Sequence, residues 1–216
     1  MRRRHSLAPR DQAASPFSGI LMRLCAGSSA IAAAFVDAEG ETVDYAGELG
    51  PFEIKVAAAE WRLVLRRLHE SKIPAWRTTA ELVVRASARS YAVHSMSEGY
   101  ALVLCLPRRC LSVSRRAIAE ALRELCAESG LEPWGGAPSS LERWVRVDVR
   151  TASSDRRRPA SLWHQGAWAA LELLGRYRHA SLAHDELGFR VRTASGAEFN
   201  LVREPLDRWY ADDLPT

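Results

Sequence analysis

The side chains of this chain that could do chemistry are scattered, and their spacing argues against most of the reactions they could support. His179, His184 and Asp185 are candidate metal ligands. A five-residue step between the histidines does not stack them on one helix face, and no fourth ligand stands nearby, so a solvated loop is the expected reading. Cys25, Cys105, Cys110 and Cys126 include no C-x-x-C pair. Free thiols in a reducing compartment are expected, with Cys105 in an apolar strand and Cys110 in a loop, and neither paired nor metal-bound. No G-x-S-x-G nucleophile motif is present. His94 and Ser95 are adjacent in an apolar run. Strand geometry sends their side chains to opposite faces, so they do not form a nucleophile–base pair. His69, at the end of a helical segment, is read as a cap for free carbonyls. Neither Lys55 nor Lys72 stands in the Gly-Lys-Ser/Thr context of a phosphate-binding loop. No catalytic, cofactor-binding or metal residue is assigned.

The arginines are the remaining chemical resource. Arg62, Arg66 and Arg67 share a long helical segment with Trp61, and Arg85 and Arg89 lie downstream. An arginine supplied in trans can stabilise charge in phosphoryl transfer, whereas a solvated helix face is the plainer explanation. Trp61, Arg62, Arg66 and Arg67 are the candidate partner-binding residues. Trp61 and Trp76 are otherwise read as core or interface aromatics. Arg156-Arg157-Arg158 could touch nucleic acid, but Asp155 adjoins them and no aromatic platform is evident beside them. Nucleic acid is therefore not an expected partner.

The chain has 216 residues, 47% of them hydrophobic, with a formal net charge of +4. It is long enough for one medium domain or two small ones. Lysine is nearly absent beside the many arginines, a bias attributed to coding composition. The basic N-terminus is not followed by an apolar stretch, so it is not read as a secretory signal, and no apolar run reaches spanning length. A soluble, cytoplasmic protein with no membrane partner is expected.

Residues 1–16 read as a disordered basic tail. Phe17, Ile20, Leu21 and Leu24 then mark a short helix ending at Gly27-Ser28-Ser29. Ala30 to Val36 is wholly apolar and suits a central strand covered on both sides. Asp37 to Gly40 is a turn, and Glu41 to Ala46 the return strand. A helix starting at Pro51 and reaching about Ser71 carries the stripe Ile54, Ala57, Ala58, Trp61, Leu65 and Leu68, with Arg62, Arg66, Arg67 and Glu70 largely opposite. Ala80 to Ala86, Tyr91 to Met96 and Tyr100 to Leu106 read as three strands joined by turns at Ala88-Arg89-Ser90 and Ser97-Glu98-Gly99. Ser112 to Glu128 is a second long helix, with Gly130 as its C-terminal cap. Residues 132–140, rich in Gly, Pro and Ser, read as a linker. Residues 141–216 read as a small, mostly β module. Its strands are expected at Trp144 to Val149, Trp168 to Tyr177, Phe189 to Thr193, Glu198 to Val202 and Trp209-Tyr210, with a polar loop from Thr151 to Pro159. Residues 161–174 also tolerate a helical spacing. The aromatics Trp163, Trp168, Phe189, Trp209 and Tyr210 are read as the core of a small domain, or as an exposed pair lining a peptide groove.

The order helix, two strands, helix, three strands, helix over about residues 17–131 resembles the roadblock/dynein light chain family, related to longin and profilin-like folds. Ala30 to Phe35 followed by Val36-Asp37-Ala38-Glu39-Gly40 is similar to the family's small-apolar strand and D-x-x-G turn. Glu53 with Ala57-Ala58-Ala59 resembles the start of its central helix. Ser97-Glu98-Gly99-Tyr100-Ala101-Leu102-Val103-Leu104 resembles its D-G-Y-x-L-V strand entry, with Glu98 where the family often has Asp. The resemblance implies an α+β fold: a five-stranded antiparallel sheet sandwiched between helices, here followed by the mostly β module. It requires the first hairpin to lie beside the last strand. It also implies dimerisation, with sheets joined edge to edge and central helices paired, with a second copy or a related roadblock subunit. The function implied is that of a non-catalytic regulator or scaffold for a small Ras-like GTPase, as in cell-polarity systems. The alternative is a small-molecule sensor with a profilin- or PAS-like pocket. The C-terminal module is only faintly similar to small β-barrel adaptor domains.

Overall fold

Hydrophobic periodicity along the first half of the chain becomes, in a computed structural model, one sheet with helices on both faces. The structure describes residues 10–108, 110, 113–134, 144–179, 182–212 and 214, the side chain of 206 excepted. The chain divides into two compact units, Met1–Pro138 and Ser139–Thr216.

The first unit runs α1 (Pro16–Gly27), β1 (Ala32–Val36), β2 (Thr42–Gly47), α2 (Pro51–His69), α3 (Pro74–Arg77), β3 (Glu81–Arg85), β4 (Ser90–Ser95), β5 (Ala101–Leu106) and α4 (Arg115–Ser129). The strands form an antiparallel sheet in the order β2-β1-β5-β4-β3. The first hairpin thus lies beside β5, as the resemblance requires. Every residue of β1 is buried, because it sits between β2 and β5 with helices above and below. Alternation sends Ala33, Phe35, Ala92, Leu102 and Leu104 toward α1 and α4, where they meet Leu21, Leu24, Ile118 and Leu125. Ala34, Val36, Val93, Ala101 and Val103 point the other way, onto Ile54, Ala58 and Leu65 of α2. Gly130 caps α4 at φ 74, as its position implied. Beyond the helix end at Lys72-Ile73-Pro74, α3 adds one short turn, with Pro74 at its first position.

Expected disorder over residues 1–16 falls partly on residues 1–9, outside the described residues. Residues 10–15 run along β2 instead. Arg10 donates to the Tyr45 carbonyl and the Asp44 carboxylate, and Ser15 Oγ donates to the same carboxylate. Gln12 Nε2 reaches Asp44 Oδ1 at 2.8 Å and the Val43 carbonyl at 3.4 Å. The Asp44 carboxylate also takes its neighbour's amide, Tyr45 N–H, at 2.7 Å.

The second unit is a seven-stranded antiparallel sheet: β6 (Val145–Val147), β7 (Val149–Ala152), β8 (Asp155–His164), β9 (Ala167–Tyr177), β10 (Leu187–Thr193), β11 (Glu198–Glu204) and β12 (Arg208–Ala211). Their order is β6-β12-β11-β10-β9-β8-β7. The two end strands are one stretch of chain interrupted only at Asp148, so the sheet curls until its ends are continuous. Leu162, Phe189, Val191, Phe199, Leu201 and Trp209 fill the inside. Two expectations give way here. The polar stretch from Thr151 to Pro159 is not a loop but the turn and outer half of the β7–β8 hairpin. Residues 161–174 are not helical, because Gln165 (φ 49) and Gly166 (φ 81) turn the chain back on itself and pair Trp163 with Trp168.

Candidate docking surface

The two edges of the first sheet differ. On β2 the outward carbonyls of Val43 and Tyr45 and the amide of Tyr45 are occupied by Gln12, Arg10 and Asp44. Burial tends to raise the Asp44 carboxyl, but the hydrogen bonds from Ser15 and Arg10 outweigh it and hold its pKa below the usual range. On β3 nothing comparable covers the strand among the described residues. Glu81, Val83 and Arg85 are exposed on one face, Val83 at 49%, while Leu82 and Val84 are half-buried on the face of α2. An uncovered edge carrying a central apolar residue is a template for another strand.

Helix α2 continues this surface. Its buried residues Ile54, Ala58, Arg62 and Leu65 follow a four-four-three spacing. The opposite side is not uniformly polar: Phe52 is 82% exposed and Val56 44%, with Leu63 and Val64 also exposed. Phe52, Val56 and Trp61 of the helix, with Arg89 and Tyr91 of the β3–β4 hairpin, line a groove of about 430 Å³. Trp61 leans on Tyr91 with ring centroids 5.1 Å apart, which fixes one wall. Glu53 accepts a hydrogen bond from Arg89, tying the start of α2 to the hairpin.

Of the sequence-derived candidates, Trp61 lines this groove and Arg67 is exposed, its guanidinium 3.3 Å from Glu70. Arg66 is half-buried, its Nε 3.8 Å from Glu70. Arg62 departs from the expected solvated face: it is 5% exposed and lies in the inward stripe. Burial lowers its pKa, Arg66 adds to that, and Asp37, Glu39 and Glu70 oppose it. Its Nε and Nη1 are buried without a hydrogen-bond partner. A Cβ on Gly99 would stand 2.8 Å from Arg62 Nη2 and 3.0 Å from the Ala38 Cβ. Gly99 also has φ +80, so only glycine fits there easily. Arg62 thus wedges between the Asp37–Gly40 and Glu98–Gly99 turns. Arg85 lies at the exposed end of β3.

The possible acid–base residues are likewise placed. His94 and Ser95 do face opposite sides of β4, but Ser95 Oγ lies 3.3 Å from His69 Nε2, a pair the sequence did not reveal. Both groups also reach the Thr79 carbonyl, His69 at 2.9 Å and Ser95 at 2.6 Å. A carbonyl only accepts, so both are donors and the imidazole has no free lone pair there for the serine proton. The cluster fastens the end of α2 to the start of β3, so His69 serves the Thr79 carbonyl and not the end carbonyls of its own helix. His94 is buried, and that lowers its pKa against the opposing charge of Glu81. Cys25, Cys105, Cys110 and Cys126 are free thiols, Cys25 pushed up to about 12, chiefly by burial. Among the described residues no three His, Cys, Asp or Glu side chains converge on a metal-sized site. His179 stacks on Tyr177, whereas His184 and Asp185 lie in a turn. Among the described residues no helix is long and apolar enough to cross a membrane.

The first unit is therefore an α+β sheet-and-helix domain with the roadblock strand order, presenting one bare edge and one partly apolar helix. Two solved structures are similar to it. Myxococcus xanthus MglB aligns at 17% identity over 54% of this chain and 96% of that one, with a TM-score of 0.48. A roadblock/LC7 domain from Streptomyces avermitilis aligns at 14% identity over 54% and 96%, with a TM-score of 0.43. At those values the alignments add nothing to the strand order, which carries the fold. No family model and no curated protein matches the chain.

Proposed function

We propose that this chain is a non-catalytic scaffold or regulator that pairs through β3 and α2 and docks a small Ras-like GTPase on the paired surface. The observation that carries the pairing is the inequality of the sheet edges: β2 is occupied by the segment from Arg10 to Ser15, and β3 is bare beside exposed Phe52, Val56 and Val83. The GTPase follows from the resemblance of Ala30 to Gly40 and Ser97 to Leu104 to the roadblock motifs. Both sheet faces are filled by packed apolar side chains, which favours docking over the profilin- or PAS-like pocket reading. Within this reading Trp61, Arg66 and Arg67 lie at or beside the contact, and Arg62 shapes it from beneath. Sedimentation velocity tests the pairing, and a strict monomer at high concentration would refute it. Pull-down with nucleotide-loaded Ras-like GTPases, followed by GTP hydrolysis measurements, separates a scaffold from an activator.

A further inference from the structure

The second unit carries a surface that the pairing of the first does not use. Trp163 and Trp168 face each other across the β8–β9 turn, ring centroids 5.5 Å apart and at 61°. Both stay at the surface, Trp163 at 44% exposure. Arg150 of β7 crosses the small Ser161 opposite it and lays its guanidinium 4.0 Å from the Trp168 ring centroid. Trp168 is thus held by a cation on its face and by its neighbour's ring, and Trp163 is left open. Beyond Pro159 the same β8 strand carries Arg156, Arg157 and Arg158, all exposed.

Pairing of the arginines on this module is uneven, with Arg146 of β6 and Arg176 of β9, the latter over the Phe189 ring, exposed as well. On the β10–β11 side arginines are neutralised: Arg190 and Arg192 reach Glu198 at 2.9 and 2.6 Å. Arg203 likewise pairs with Asp207. Arg150, Arg156, Arg157 and Arg158 have no carboxylate partner among the described residues. Asp155, the acid that argued against this stretch, is engaged with the Arg157 backbone amide at 2.8 Å rather than with a guanidinium. The platform that the sequence did not reveal is therefore present, at the far end of the same strand β8. Unneutralised arginines at one end of β8 and an open indole at the other match a length of phosphate backbone with unstacked bases. An acidic peptide would satisfy the arginines alone.

We infer that the β7–β8–β9 surface binds single-stranded nucleic acid, with Trp163 stacking a base and Arg150 and Arg156 to Arg158 contacting phosphates. The test uses the full chain and a fluorescein-labelled oligothymidylate or oligouridylate, read by anisotropy across a salt series. Four phosphate contacts predict that log K falls with log salt at a slope of about −3, and R156Q/R157Q/R158Q should reduce that slope by about 2. Trp163→Leu should weaken binding about tenfold and leave the slope unchanged. Circular dichroism checks that each variant folds. Should Trp163→Leu not fold, quenching of tryptophan fluorescence by the oligonucleotide in the unaltered chain replaces it, and no quenching at saturation counts against the inference. Absence of binding at low salt would overturn it. So would equal affinity for the matching duplex, or competition by polyglutamate or heparin at equal charge with no effect of Trp163→Leu.

Discussion

Reversing one charge on β3 gives the sharpest test of how two copies would meet. An antiparallel pairing of β3 with itself has few self-consistent registers. Centred on Val83, it sets Val83 against Val83, Leu82 against Val84, and Glu81 of each copy against Arg85 of the other. Centred on Leu82 or Val84, it leaves Glu81 and Arg85 opposite uncharged residues. Only the Val83-centred register is complementary in both charge and shape, and all three outward side chains are exposed. Opposite-charge cross-strand pairs contribute roughly 0.2–1 kcal/mol each, and like charges cost a similar amount. Symmetry gives two such pairs, so Glu81→Arg turns two attractions into two repulsions, a change of about 2 kcal/mol. That weakens the dimer about thirtyfold. The double variant E81R/R85E should restore the dissociation constant to within a few-fold. Sedimentation equilibrium at low and moderate salt measures both, and the single-variant effect should shrink with salt. A double variant as weak as the single would refute the register. If Val83→Lys also left the dissociation constant unchanged, β3 would not be the pairing edge.

Other expectations are more local. Gly99→Ala should lower stability by about 2 kcal/mol in chemical denaturation, because it combines a left-handed backbone with a contact on Arg62; a neutral effect would show that the turn can shift. Arg62→Met should leave stability unchanged or slightly raised, since it removes a buried charge whose Nε and Nη1 lack partners; a loss above about 3 kcal/mol would reveal a hidden ion pair. Asp44 has a depressed folded pKa, so its contribution is full above the usual carboxylate value of about 3.9 and fades as pH falls through its lower folded value. Denaturation midpoints should therefore drop on acidification in the unaltered chain and drop less in Asp44→Asn. The thiols of buried Cys105 and Cys126 and of half-buried Cys25 all have raised pKa values, so a disulfide reagent at mildly alkaline pH should label them far faster on unfolding than in the native state. Rapid labelling of Cys105 in the native state would contradict its burial.

Legibility in the sequence followed periodicity. Helix α2 and the strands of the first unit announce themselves through apolar spacing and glycine-bearing turns, because burial selects side chains at those intervals; the place of the first hairpin beside β5 came from the family resemblance. Arg62 occupies the inward spacing too, four residues after Ala58 and three before Leu65, yet its charge argued for the outside. The room made by Gly99, thirty-seven positions away and outside any sequence pattern or spacing, is what admits it. Arg10, Gln12 and Ser15 reach β2 by side-chain hydrogen bonds, which leave no periodic trace. The outer half of β8 is polar on every side because it is exposed on every side, so its alternation vanished. The Trp163–Trp168 pair was hidden by Gln165-Gly166, a turn whose first residue is not among the usual turn formers. The His69–Ser95–Thr79 cluster joins three separate elements and has no local signature.

The segment from Arg10 to Ser15 bears on how large an assembly this domain can build. A sheet with one bare edge among the described residues accepts a single neighbour, so the proposed association through β3 would terminate at two copies. Were Asp44 stripped of Arg10, Gln12 and Ser15, each sheet would offer a second edge with open carbonyls at Val43 and Tyr45. Copies joined alternately through β3 and β2 would then have no closing contact and could extend as a ribbon of indefinite length. A short polar stretch that contributes little to the core would in that case determine whether the product is a discrete particle or a fibre.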